Sequence, residues 1–195
     1  MIRPYDPLGL EAKTREDWPE GVRFLEKRGF QLVNRGQQSE LDPAGFDPDR
    51  FNETVEAVVA SGLTIRTLGE VLAADPDTLR KLYDMDVETQ PDMPWYDEMT
   101  ALPFEEWVKS YEDNPDLLTD GFIIALDGDE FVGHSQLWGS QATDTLLYTA
   151  MTAVRRPYRH RGLATAMKVR AIQYAQSLVA ADGNPPSIVT ANEES

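Results

Sequence analysis

Apolar residues recur along this chain at two spacings, one helical and one alternating, and the places where the spacing changes divide it into elements. Over residues 18–28, Val22 and Leu25 lie a helical step apart and Gly29 follows, which predicts a short helix ended by a glycine. Residues 30–41 are strand-like around Gly36 and predict a hairpin that turns there. Asp47-Pro48 reads as a cap followed by proline at the first helical position, with Phe51, Val55, Val58 and Val59 on one face and Gly62 at the end. Residues 63–68 alternate, as a strand does. Residues 76–87, capped by Asp75, predict a helix with Leu79, Leu82 and Tyr83 inward; residues 103–111 predict another with Phe104, Trp107, Val108 and Tyr111 inward. Three strands follow at 122–126, 130–138 and 146–154, the first two joined by the turn Asp127-Gly128-Asp129. A helix from about 162 to 180 carries the stripe Leu163, Ala166, Met167, Ala171, Tyr174 and Leu178, and a short strand at 187–191 comes last. The order implies an α/β (mixed α+β) domain. Proline, glycine and acids cluster at 40–49, a linker by composition, and at 89–96, an irregular segment apolar enough to fold over a neighbour.

Composition narrows the function. The 195 residues suffice for one domain of ordinary size plus an appendage, and are too few for two complete enzyme domains. With 34 acidic and 18 basic side chains the net charge is -16, so a nucleic-acid backbone would be repelled over most of the surface. There is no cysteine, and with two histidines neither a thiolate nor a multi-histidine metal site is expected. No apolar run approaches the roughly 20 residues that span a bilayer. The first ten residues lack the apolar core of a signal peptide. The expectation is a cytoplasmic protein without a membrane partner.

Against that acidic background, six of the 18 basic residues fall between Arg155 and Arg170. They surround Val154-Arg-Arg-Pro-Tyr-Arg-His-Arg-Gly-Leu-Ala-Thr165, between a predicted strand and the longest predicted helix. Two readings stand. Glycine at a helix start admits an anion to the first-turn amides, and flanking arginines add charge-assisted contacts, which together make a diphosphate cradle. Alternatively, the basic loop pairs with the protein's own acids. Neither a nucleotide P-loop nor a dinucleotide fingerprint is present.

Arg159-His-Arg-Gly162-Leu-Ala164 resembles the Arg/Gln-x-x-Gly-x-Gly/Ala signature of the GNAT (Gcn5-related N-acetyltransferase) family, in that family's setting of strand, basic loop and helix. Thr152-Ala-Val154 is similar to the splayed end of the family's fourth strand, and Ser187-Ile-Val-Thr-Ala-Asn192 to its fifth. The resemblance covers roughly residues 63–195 and implies a central twisted mixed sheet flanked by helices. It implies acetyl-CoA as co-substrate: the amides of Arg159, His160, Arg161, Gly162, Leu163 and Ala164 on the diphosphate, the hydroxyl of Thr165 beside them, and Thr152, Ala153, Val154 and Asn192 along the pantetheine arm. Arg155, Arg156 and Arg161 would add charge on the phosphates, whereas Tyr158 and Arg170 are expected only to pack or pair.

The family continues past its fifth strand with a helix ending in Gly-Phe and then a hairpin. A matching piece stands at the other end of this chain: residues 14–30 resemble that helix and its Gly29-Phe30, and 30–41 its hairpin. The chain therefore resembles a truncated tandem GNAT protein. Residues 1–46 would be the remnant of a first domain, 47–62 a linker helix, and 63–195 an acyl-CoA-binding domain lacking its usual C-terminal elements. A fifth strand without a neighbour would leave an open sheet edge. The N-terminal hairpin is expected to cover it, within its own chain or, by exchange, in a homodimer.

Acyl transfer from a thioester needs a neutral amine, a stabilised oxyanion and a proton for the thiolate. A backbone amide near Ala153 or Val154 would serve the oxyanion. Where some members place a glutamate, fourteen residues before the motif glycine, this chain has Tyr148, with an ordinary pKa of about 10; where the closing helix often brings a tyrosine for the thiolate, Leu25 stands. Glu88 and Glu98 flank the segment where the family's acceptor site lies, with Trp95, Tyr96 and Trp107 as pocket-lining candidates; His134 reads as a satisfied strand histidine. The resemblance implies an N-acetyltransferase acting on a small primary amine, and the acidic surface would steer a cationic one toward it. The Tyr148 and Leu25 departures keep open a catalytically inert CoA-binding or assembly module.

Overall fold

The computed structural model describes residues 9–93 and 100–193. Residues 36–193 make one compact unit, and the residues up to 35 belong to another. The smaller unit holds α1 (Pro19–Glu26), which begins with its proline at the first helical position and ends before Gly29, whose φ of 82° is the left-handed value that glycine adopts without strain.

The larger unit is built on β1 (Gly36–Leu41), β2 (Leu63–Thr67), β3 (Ile123–Asp127), β4 (Glu130–Trp138), β5 (Leu146–Val154) and β6 (Ser187–Glu193). They form a six-stranded sheet in the order β1-β6-β5-β4-β3-β2. Every neighbouring pair is antiparallel except β5 and β6, so the sheet is mixed as expected. Alternate side chains of β3 go to opposite layers. Ile123 and Ala125 join the core under α2 (Asn52–Ala60) and α6 (Leu163–Ser177); Phe122, Ile124 and Leu126 join the core under α3 (Leu68–Ala74), α4 (Thr78–Thr89) and α5 (Phe104–Glu112).

Two irregularities shape the functional end. Ser135 pairs with Thr152 and Leu137 with Thr149, so β5 carries one residue more than β4 and bulges there. Beside that bulge β6 leaves β5: the two pair only from Leu146 to Thr149 against Ser187 to Thr190. The last residues of β5 therefore present a strand edge without a β6 partner. Beyond the split, β6 is held from its other side by β1, in a register running from Gly36↔Glu193 to Leu41↔Ile188. The expected cover of the β6 edge is thus made within the chain.

The cover is a single strand, which corrects the expected hairpin. Residues 31–35 contain no strand, and Gly36 begins β1 where a turn was anticipated. Val59, assigned to the inner face of its helix, is 58% exposed while Val58 is buried. Asp47 caps a 3-10 turn, Pro48–Phe51, that leads into α2. The helix expected to begin at 76 starts at Thr78, because Asp75 accepts from the amide of Asp77 in a turn of its own. Helix α3 was not foreseen, although Thr67 and Glu70 form a reciprocal capping box at its start. Among the described residues no helix is long and apolar enough to cross a membrane, and no cluster of His, Asp or Glu could hold a metal ion.

Candidate functional site

The free end of β5 runs into a tight loop and then into α6. A 3-10 turn, Arg156–Tyr158, starts the loop. His160 then adopts a left-handed φ of 61° and Gly162 one of 83°, and between them the chain reverses to enter the helix. The first bond of α6 is donated by Ala166 to the Gly162 carbonyl at 2.9 Å, so the amides of Leu163, Ala164 and Thr165 precede any carbonyl of their own helix. Such a helix start favours an anion.

These pieces enclose a cavity of about 460 Å³. Thr152, Ala153 and Val154 line it from the unpartnered end of β5, Tyr158, Arg159 and His160 from the loop, and Gly162 to Thr165 from the start of α6. The opposite wall is Thr89, Asp92 and Met93, from the end of α4 and the 3-10 turn Gln90–Asp92. The Leu163 side chain is in the core at 1% exposure, so its contribution to the cavity is main chain. Gly162 has a role the sequence did not suggest: a Cβ there would lie 2.6 Å from Thr54 Cγ2, so α2 fills the space beside it. Packing against α2 and the positive φ both call for glycine here.

The cations of the loop are engaged. Arg159 donates from Nε to the Val154 carbonyl at 2.9 Å and from Nη2 to Asp92 at 2.5 Å, which braces the loop to the strand end and to the opposite wall. Arg156 reaches the same carboxylate at 2.5 Å, while Arg155 pairs with Glu88 at 3.1 Å and with Glu130. The guanidiniums of Arg156 and Arg159 hold the Asp92 carboxyl down at about 2. Tyr158 donates to Asp127 at 2.9 Å, and that bond pushes its phenol above the usual range. The Arg161 guanidinium lies over the Tyr158 ring, 5.3 Å from its centroid.

Behind the cavity wall, polar groups with little or no exposure form a ring. His134, fully buried on β4, pairs in register with Ala153, and Asp86 lies one helical turn before Thr89 on α4. His134 Nε2 is 2.8 Å from Asp86 Oδ1, an ion-pair distance at which neither atom makes a hydrogen bond. Its Nδ1 faces the amide nitrogen of Gln136 at 3.5 Å, that nitrogen donates to the Tyr111 hydroxyl at 3.1 Å, and Tyr111 in turn faces Asp86 Oδ2 at 3.4 Å. Trp138 donates to the Gln136 carbonyl oxygen at 3.1 Å. With a carboxylate at Nε2 and an amide donor at Nδ1, the proton of a neutral ring belongs on Nε2. Burial and the nearby Asp86 charge push the Tyr111 phenol up.

A sequence model of the acetyltransferase (GNAT) family matches residues 79–189, more than half of the chain. The chain belongs to the GNAT family. No curated protein matches it in sequence. Its fold is similar to the GCN5-related N-acetyltransferase of Sphaerobacter thermophilus, at 19% identity over 92% of this chain and 49% of that one, with a TM-score of 0.54. It is also similar to a tandem GNAT protein from the clavulanic acid biosynthesis pathway, at 13% identity, 95% and 52% coverage and a TM-score of 0.57. A third likeness is to the glucosamine N-acetyltransferase region of a fungal multi-domain beta-N-acetylglucosaminidase, at 12% identity, 97% and 22% coverage and a TM-score of 0.59. The chain spans about half the length of the first two.

Of the GNAT site residues expected from sequence, the cavity gathers Thr152, Ala153, Val154, Arg159, His160, Gly162, Leu163, Ala164 and Thr165. Arg161 stands outside its lining. Asn192 continues β6 away from β5, opposite Gln37 of β1. Tyr148, at 41% exposure, pairs with Trp138 on β4 and is also outside the lining. Trp95, Tyr96 and Glu98 lie outside the described residues. Sequence reasoning missed Thr89, Asp92 and Met93 as wall residues, although the proline-rich segment over 89–96 had signalled something folded against a neighbour.

Proposed function

We propose that the chain is an acyl-CoA-dependent N-acyltransferase, with acetyl-CoA as co-substrate and a small, cationic primary amine as acceptor. The observation that carries this is the convergence of the unpartnered β5 end and the α6 amides on one cavity, in a chain of the GNAT family. The amides of Leu163, Ala164 and Thr165 would hold the diphosphate. The bare edge of Thr152 to Val154 would hold the amide-rich arm and offer an N–H to the developing oxyanion. The thioester supplies the activated acyl carbon. A net charge of -16 favours approach of a cationic acceptor. The likeness to a tandem GNAT protein supports reading residues 1–46 as the close of one GNAT unit and 63–195 as the body of another.

A second reading, an inert CoA-binding module, is favoured by one observation: Tyr148, the sequence's candidate base, does not line the cavity. Titration calorimetry with CoA tests what both readings share. The wild-type chain should bind. Ala164→Glu, which sets a carboxylate before the helix amides and leaves the Gly162–Thr54 packing intact, should lower affinity at least about tenfold. Absence of binding by the wild type overturns both readings. Thiol release from acetyl-CoA over a panel of amines then separates them, since only the enzyme turns over.

A further inference from the structure

The cofactor cavity contains its own anion. Asp92 lines it, is 17% exposed, and faces two loop guanidiniums at once. Arg156 Nη2 donates to one oxygen at 2.5 Å and Arg159 Nη2 to the other at 2.5 Å, while Arg156 Nε reaches both at 3.1 and 3.2 Å. The neighbouring carboxylates are committed elsewhere: Glu88 and Glu130 to Arg155, and Asp127 to Tyr158. Two forked guanidiniums closing on adjacent oxygens form the donor set that also suits a phosphate. A carboxylate and a phosphate cannot share those N–H groups.

We propose that Asp92 is a built-in competitor for the anionic cofactor, a latch that ties the turn after α4 to the loop before α6 and must let go for the diphosphate to reach Arg156 and Arg159. This rests on the CoA reading of the cavity and adds to it a regulation of affinity. Removal of the carboxylate tightens binding. If the released form makes up about a tenth of the population, the apparent Kd is about ten times the intrinsic one, and losing the latch recovers that factor. The latch also sets the response to salt. The wild type exchanges one set of ion pairs for another, so its affinity changes little with ionic strength; a chain without Asp92 gains pairs on binding and is weakened by salt more steeply.

The test is calorimetric titration of CoA into the wild type, Asp92→Asn, Asp92→Ser and Asp127→Asn at low and high sodium chloride, with thermal melts to verify folding. Asp127→Asn removes one unit of negative charge beside the loop, keeps an oxygen to accept from Tyr158, and leaves the two arginine pairs alone. The latch predicts about tenfold tighter binding and a steeper salt dependence for both Asp92 variants, and a change under about twofold for Asp127→Asn. Equal or weaker binding by the Asp92 variants, or equal tightening by Asp127→Asn, overturns the latch while the CoA reading stands. If none of the four proteins binds CoA, the CoA reading falls and the latch with it.

Discussion

Gly162 answers to two constraints that a side chain would break separately. Its φ of 83° strains any residue with a Cβ, and a Cβ would stand 2.6 Å from Thr54 on α2. Gly162→Ala should therefore destabilise the chain by about 1–3 kcal/mol from the backbone alone, with a further loss from the clash. Thr54→Ala opens the space and should return only the second part. Urea unfolding of the two single variants and the double variant checks this; a double variant as stable as Thr54→Ala itself would mean that the backbone conformation carries no cost. Arg159 is similarly double in role. Because it braces Val154 as well as Asp92, its replacement disturbs the loop's shape along with its charge, which makes it a poor probe of phosphate binding taken alone.

Among the elements, β5 does most to define the site. Its bulge beside Leu137 and its parting from β6 after Thr149 give the cavity a strand edge whose amides face no neighbouring strand. That edge has to be held rigidly from the other side, and β4 does this through the Gly133–Ser135 pairs and through the buried ring about His134. Three hydrogen bonds and one close contact make up the ring, so breaking one member leaves polar groups without partners inside the core. Asp86→Leu should cost about 1–3 kcal/mol for the donor it strands, here the Tyr111 hydroxyl. A shift in the urea midpoint reads it, and an unchanged midpoint would show the ring to be dispensable. Val59 and α3 make a smaller point about elements. The helical spacing at 51–59 placed both Val58 and Val59 inward, whereas only Val58 is buried, because two adjacent positions on a helix lie about 100° apart. The capping box of α3 was readable but lay at the join of a strand and a helix only seven residues long.

At the scale of the whole unit, the sheet is completed by a strand from the start of the chain lying beside a strand from the other end. All six residues of β1 pair with β6, and its Gly-Gln-Gln-Ser-Glu stretch is exposed and polar, a composition suited to an edge. Deleting residues 1–41 should bare the β6 edge and send the protein into higher oligomers. Size exclusion with light scattering would detect this, and a monodisperse monomer of unchanged melting temperature would refute the covering role.

Local physics determined what could be read from the chain alone. Alternation and helical spacing located the strands from 122 to 154 and the long helix, because burial on one face leaves its period in the sequence. The reversal of charge around Gly162 located the loop, because a cluster of arginines in an acidic chain persists whatever the fold. Tertiary structure decided the rest. Asp92 meets Arg156 across 64 residues and Gly162 is pressed by Thr54 from a different helix, and neither pairing leaves a mark near its partner. Whether the loop's arginines were free for a ligand or tied to the protein's own acids was therefore a question of which segments the sheet brings together. Charge and spacing along a chain set what each residue can do; the register and crossing of distant segments set which residue it does it to.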